Sequence, residues 1–207
     1  MNRDRLLQQV RRYYEQTLQV HGPTHRGVDW NTQESQHLRF AQFGVLMGDD
    51  AAGSVLDYGC GYGALAPFLR ECGWAGEYLG FDLSERMIAA ALASAESIDR
   101  CRFTASPAAL QPADYVLASG LFNVKQDTAP GEWWLYIEDT LQTMASLARR
   151  GLAFNALTVY SDPDRQRPDL YYADPRALFD FCKRTISERV ALLHDYPLFE
   201  FTIHVRL

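Results

Sequence analysis

The sequence predicts an α/β fold: a doubly wound, mostly parallel seven-stranded sheet with an antiparallel last strand, preceded by N-terminal helices. Three observations predict it. From Ser54 to Thr185, short apolar runs alternate with segments of helical periodicity, the pattern of a parallel sheet covered on both faces. The first apolar run ends in a glycine turn that opens a helix. At the far end, Glu188–His194 and Leu198–Arg206 flank Asp195-Tyr196-Pro197; this reads as a hairpin and makes one strand antiparallel.

The elements follow in order. Arg3 to Val20 is expected to be a helix, because Leu6, Val10, Tyr13, Tyr14 and Leu18 recur at three-to-four spacing. His21-Gly22-Pro23 stops it, and residues 21–31 form a loop. Asn31 and Glu34 resemble a capping box for a second helix, about Thr32 to Met47. These helices (residues 1–49) are expected to form a lid on a core of residues 50–207. Ser54–Asp57 is the first strand, Ala64–Cys72 a helix, Glu77–Phe81 the second strand. Ser84 caps a helix over Glu85–Glu96. Cys101–Thr104 and Ala113–Ala118 are the third and fourth strands. A long helix, about Glu132 to Arg149, carries an apolar stripe of Trp134, Ile137, Leu141, Met144 and Ala148. Gly151–Val159 is the fifth strand. Asp174-Pro175 reads as an N-cap with proline at the first helical position, opening a helix to about Thr185.

Composition narrows the function. The chain has 207 residues and a net charge of −6, which suits one α/β domain. It has no Lys/Arg run beyond isolated pairs, so a phosphate backbone is not the expected substrate. Cys60, Cys72, Cys101 and Cys182 show no CxxC spacing and no histidine pair to complete a metal site; they read as reduced thiols of a cytoplasmic protein that holds no metal. No stretch approaches the ~20 apolar residues that span a membrane, and the N-terminus is too charged for a signal peptide.

The glycine turn, Asp57-Tyr58-Gly59-Cys60-Gly61-Tyr62-Gly63, lets a ligand approach the backbone beside a helix N-terminus. Its third glycine comes one residue too early for the dinucleotide G-x-G-x-x-G, and no G-K-[ST] follows. The turn instead resembles the first motif of class I S-adenosylmethionine-dependent methyltransferases. Two further marks agree: Phe81-Asp82-Leu83-Ser84, with Asp82 twenty-five residues after Asp57, and Ala113–Asn123 at the fourth strand. The closing hairpin also matches that family's Rossmann-like sheet.

The resemblance implies S-adenosylmethionine as cofactor. Asp82 would accept from the ribose hydroxyls, as acidic residues do in dinucleotide folds. Gly59 and Gly61 would contact the amino-acid portion. Asp57 would orient the turn or meet the ligand's ammonium. Leu83 and Met87 would pack on adenine, and Ser106 would stand where the family often has an acidic residue for the adenine amino group. Ser119, after the fourth strand, joins this set. The segment before the core resembles a small-molecule subgroup; there Arg39 would hold the cofactor carboxylate and Trp30 would cover the cofactor.

The implied reaction is methyl transfer to a small molecule, with no membrane or nucleic-acid partner and no assigned oligomeric state. His21 and His25 are candidate general bases for a hydroxyl acceptor, and Asn123 stands where this fold lines its active site. Trp133, Trp134, Tyr171 and Tyr172 are candidates for an aromatic pocket. Two alternatives stay open: a protein methyltransferase, and a catalytically silent accessory protein that only binds the cofactor.

Overall fold

A computed structural model of the chain describes residues 3–96 and 98–207. The core is a seven-stranded sheet in the order β3-β2-β1-β4-β5-β7-β6. Its strands are β1 (Val55–Tyr58), β2 (Tyr78–Phe81), β3 (Cys101–Thr104), β4 (Ala113–Ala118), β5 (Ala148–Leu157), β6 (Arg189–Leu193) and β7 (Glu200–Arg206). The first five pair in parallel, and β7 runs antiparallel to both β5 and β6. The helices are α1 (Arg3–His21), α2 (Gln33–Met47), α3 (Leu65–Glu71), α4 (Glu85–Ser94), α5 (Pro130–Leu147) and α6 (Pro175–Thr185).

Strand side chains alternate between two cores, as a period of two requires. Leu56, Val116, Ala118, Leu152 and Phe154 face one side with α5 and α6. Val55, Tyr78, Tyr115, Leu117 and Ala153 face the other with α2 and α3.

The N-terminal segment does not form one lid. Leu6 of α1 is buried in the first core, with Leu7 and Val10 packed against it; Phe40, Phe43 and Leu46 of α2 belong to the second. The cause lies in the β3–β4 crossover. It is only eight residues, 105–112, and carries a single 3-10 turn, Pro107–Ala109. That leaves the first face short of a helix, and α1 fills the place. The connecting loop, residues 22–32, therefore passes from one face to the other.

Several boundaries move for physical reasons. Thr32, not Asn31, caps α2 by accepting from the Ser35 amide at 3.1 Å. Pro130 opens α5, two residues before the expected start, because proline suits the first turn. Ala148–Arg150 already belong to β5, where Ala148 pairs with Ala113. The buried tryptophan of α5 is Trp133, whose indole N–H donates to the Phe122 carbonyl at 2.9 Å. Trp134 is only partly buried. Ser84 and Asp174 cap their helices as the sequence suggests.

Candidate functional site

The parallel strands β1, β2 and β4 end at one edge of the sheet, and the glycine turn follows β1. Gly61 takes φ +53°, where a side chain is strained, and a Cβ there would stand 3.1 Å from Val28 Cγ1. Its amide donates to Asp82 Oδ2 at 3.1 Å. The other Asp82 oxygen accepts from the Ser84 amide at 2.8 Å. The carboxylate thus ties the turn after β1 to the start of α4 and keeps lone pairs for a ligand. Burial pushes the Asp82 carboxyl up to about 6; its two amide bonds work against that rise, and nearby Glu15 adds to it.

A cleft of about 530 Å³ opens against this turn. Gly59, Gly61, Asp82, Leu83, Met87 and Ser119 line it, facing Leu7, Val10 and Tyr14 of α1. The helix is drawn down there by Glu15, which accepts from the Ser84 hydroxyl at 2.8 Å. Apolar walls, two turn glycines, Gly59 and Gly61, that bring backbone to the cleft without a Cβ, and one carboxylate with spare acceptor capacity fit an adenosyl group with vicinal hydroxyls.

Two expected contacts lie elsewhere. Asp57 is 3% exposed, and its carboxylate accepts from the Tyr78 hydroxyl at 2.5 Å instead of lining the cleft. Burial raises its carboxyl to about 7, against the lowering effect of that hydroxyl. Ser106 is exposed, its side chain caps nothing, and its neighbours Pro107 and Leu110 line the cleft in its place.

A second cavity, about 720 Å³, lies beyond the ends of β4 and β5. Tyr14, Val28 and Trp30 line both spaces and so form the wall between them. Trp30 is fixed on two sides. Arg39 stacks on its ring at 3.9 Å. On another side is Gly120, where a Cβ would come within 2.4 Å of the indole; its φ of +72° also favours glycine. The Gly120 amide is anchored by Asn155 Oδ1 at 2.7 Å, and Asn155 Nδ2 donates to Ser119 Oγ at 3.2 Å.

Arg39 is thus a scaffold residue, not a free fork. Its Nε and terminal N–H donate to the two Glu200 oxygens at 2.7 and 2.6 Å, and a third donor takes the Ser35 carbonyl. Both partners are nearly inaccessible to solvent, at 7% and 1% exposure, so the pair joins α2 to β7 while α2 carries Arg39 under Trp30.

Asn123 lines the second cavity. His21 and His25 line neither space. His21 is exposed at the end of α1 and His25 opens a 3-10 turn, His25–Val28, so neither candidate base stands in the lining of the site. Of the four aromatic candidates, only Tyr172 reaches the second cavity. Glu200, Asn155, Arg165 and Arg167 are residues that sequence reasoning missed. Glu200, in a strand whose alternate residues Phe201, Ile203 and Val205 are apolar, left a signal: a buried carboxylate in a strand needs a partner.

Comparisons with known proteins agree with this geometry. Residues 32–195 match the methyltransferase-domain family model. The chain is 49% identical over 153 residues to "Putative methyltransferase Rv1506c" of Mycobacterium tuberculosis, covering 74% of this chain and 92% of that protein. Among solved structures, the magnesium protoporphyrin IX methyltransferase (ChlM) of Synechocystis PCC 6803 with bound SAH superposes with a TM-score of 0.68. It is 18% identical and covers 97% of this chain and 98% of its own. The DhpI-SAM-HEP complex also gives 0.68, at 14% identity and 96% of both chains. By the family match and the mycobacterial relative, the chain belongs to the methyltransferase-domain family and is a methyltransferase.

Proposed function

We propose that the chain transfers a methyl group from S-adenosylmethionine to a small-molecule acceptor. The observation that carries this reading is the pair of spaces meeting at one wall of Tyr14, Val28 and Trp30. The first, with Asp82 and the glycine turn, suits the cofactor. The second has the dimensions of a small-molecule pocket. When bound, S-adenosylmethionine supplies a methyl on a sulfonium, whose bonding electrons stay with sulfur as an acceptor lone pair takes the methyl.

The residues then have a positioning task. Asp82 accepts ribose hydroxyls, Leu83 and Met87 pack on the base, and Ser119 closes the end of β4. Trp30, held by Arg39 and Gly120, excludes water from the line between the two spaces, and alignment in a dry site supplies much of such a rate. No general base is assigned, because neither candidate histidine reaches the cavities. Four free thiols support a reducing, cytoplasmic setting. No described helix is long and apolar enough to cross a membrane.

Calorimetry with S-adenosylmethionine and S-adenosylhomocysteine tests the cofactor; absence of binding by both overturns it. Turnover against a metabolite library, read as the mass shift of one methyl, separates a small-molecule enzyme from a protein methyltransferase and from a silent binder.

A further inference from the structure

The second cavity carries information about its occupant beyond its size. Asn123 is 4% exposed. Its Oδ1 accepts from the Leu157 amide at 3.2 Å. That bond fixes the orientation of the side-chain amide, since a flipped amide would set two donors against each other. The free end is therefore the NH₂ group, and Nδ2 has no partner among the described residues. A buried donor left unpaired carries an uncompensated desolvation cost. An oxygen of a ligand in the cavity it lines would remove that cost.

Three arginines line the cavity, Arg39, Arg165 and Arg167, with two carboxylates, Asp29 and Glu200; Asp162 and Asp169 stand just outside the lining, so what distinguishes the three cations is how firmly each is already paired. Arg39 is spent on Glu200, and Arg167 on Asp29 and Asp169 at 3.0 and 2.6 Å. Arg165 is held more loosely, by an exposed contact to Asp162 at 3.6 Å. Its guanidinium lies 5.8 Å from the Phe199 ring. Aromatic rings of Trp30, Tyr172, Tyr196 and Phe199 supply the remaining walls, a lining suited to a flat molecule.

Resting on the methyltransferase reading above, we propose that this cavity takes a planar, carboxylate-bearing acceptor. Asn123 Nδ2 donates to one of its oxygens, and Arg165 meets its charge. Asn123 and Arg165 line the second cavity and not the first. The carboxylate is therefore a handle held away from the shared wall, and the atom that takes the methyl faces Tyr14 and Trp30.

The experiment uses the full chain, with and without S-adenosylhomocysteine, and saturation-transfer NMR. The probes are 4-hydroxybenzoate, 4-hydroxybenzyl alcohol and 4-hydroxybenzylamine. The carboxylate is expected to bind most tightly. Asn123→Asp keeps an acceptor for the Leu157 amide but removes the donor, and should weaken the carboxylate by about tenfold. Arg165→Gln alters an exposed side chain and should weaken it by about threefold. S-adenosylhomocysteine affinity, measured by calorimetry, should stay unchanged in both variants. Preference for the amine or alcohol, no carboxylate binding, or unchanged carboxylate affinity in both variants overturns the proposal. Failure of S-adenosylhomocysteine to bind the parent chain would instead strike the cofactor reading.

Discussion

The cleft against the glycine turn and the cavity beyond Trp30 share a wall but are assembled in opposite ways. The polar floor of the first is local in sequence: Gly59, Gly61, Asp82, Leu83 and Met87 lie within one β-α-β unit and the start of α4, while α1, α5 and the end of β4 supply its other walls. Its main polar contacts are backbone amides on a carboxylate. The second is built from residues far apart, with Trp30, Asn123, Arg165 and Glu200 drawn from four segments of the chain. A buried ion pair between residues 161 apart holds it together. A local turn folds to its shape with few partners; a long-range cavity depends on every tie that crosses it.

That contrast can be broken most forcefully at Arg39. Arg39→Met leaves the Glu200 carboxylate buried without a counter-charge and removes the cation beneath Trp30. Removing one partner of a buried pair costs about 3–5 kcal/mol, and urea unfolding should show a loss of that size. The double variant Arg39→Met/Glu200→Leu should recover much of it, because the penalty lies in the orphaned charge. A loss below about 1 kcal/mol would mean that the second cavity is not held by this tie.

On the cleft side the expected effect is smaller and falls on binding. Asp82→Ala removes the acceptor for the ribose and frees the Gly61 and Ser84 amides. S-adenosylhomocysteine affinity should drop at least tenfold, about 1.4 kcal/mol. Unchanged affinity in calorimetry would reduce Asp82 to a cap of α4.

The same contrast explains what could be read in the sequence. The β-α alternation, the glycine turn and Asp82 were legible because spacing over a few residues fixes them. The closing antiparallel strand was legible from the hairpin. Arg39 was misassigned because a guanidinium fork suits a ligand carboxylate as well as it suits Glu200, and nothing near Arg39 in the chain reveals that partner. Likewise α1 read as part of a lid, since only the short β3–β4 crossover leaves the sheet face that Leu6 fills. His21 and His25 were chosen by residue type; their orientation depends on how the loop crosses the strand ends.

Protonation separates the two halves of the sheet further. Asp57, beneath the glycine turn, holds its proton up to about pH 7 because it is buried, whereas an unfolded aspartate loses it near pH 3.9. The folded state therefore binds more protons in that window, and this contribution to stability falls as pH rises from about 4 to about 7. His204, in β7, has its imidazole pushed down to about 4 by burial, and its Nε2 has no partner among the described residues. The unfolded imidazole protonates below about pH 6.5, so this contribution falls as pH drops through the same range. The two slopes oppose each other. Relative to the parent, Asp57→Asn should gain stability as pH rises from about 5 to about 7, and His204→Gln should lose it. Parallel unfolding midpoints for all three proteins would show that neither group titrates as its burial requires.

The least effect is expected from the double variant His21→Ala/His25→Ala. The contacts these residues make in the loop come from their backbones. The His21 carbonyl accepts from Thr24 Oγ1 at 3.0 Å, and the His25 carbonyl accepts from the Trp30 amide at 2.8 Å. Alanine keeps both. The loop is further held by Thr17, whose hydroxyl donates to the Gly27 carbonyl at 2.7 Å. Stability should stay within about 0.5 kcal/mol of the parent, and methyl transfer should not change, because the imidazoles reach neither side of the Trp30 wall. Lost turnover with unchanged S-adenosylhomocysteine affinity would place a proton transfer in this loop. The second space would then act through acid–base chemistry, and its contrast with the first would be one of reactivity as well as assembly.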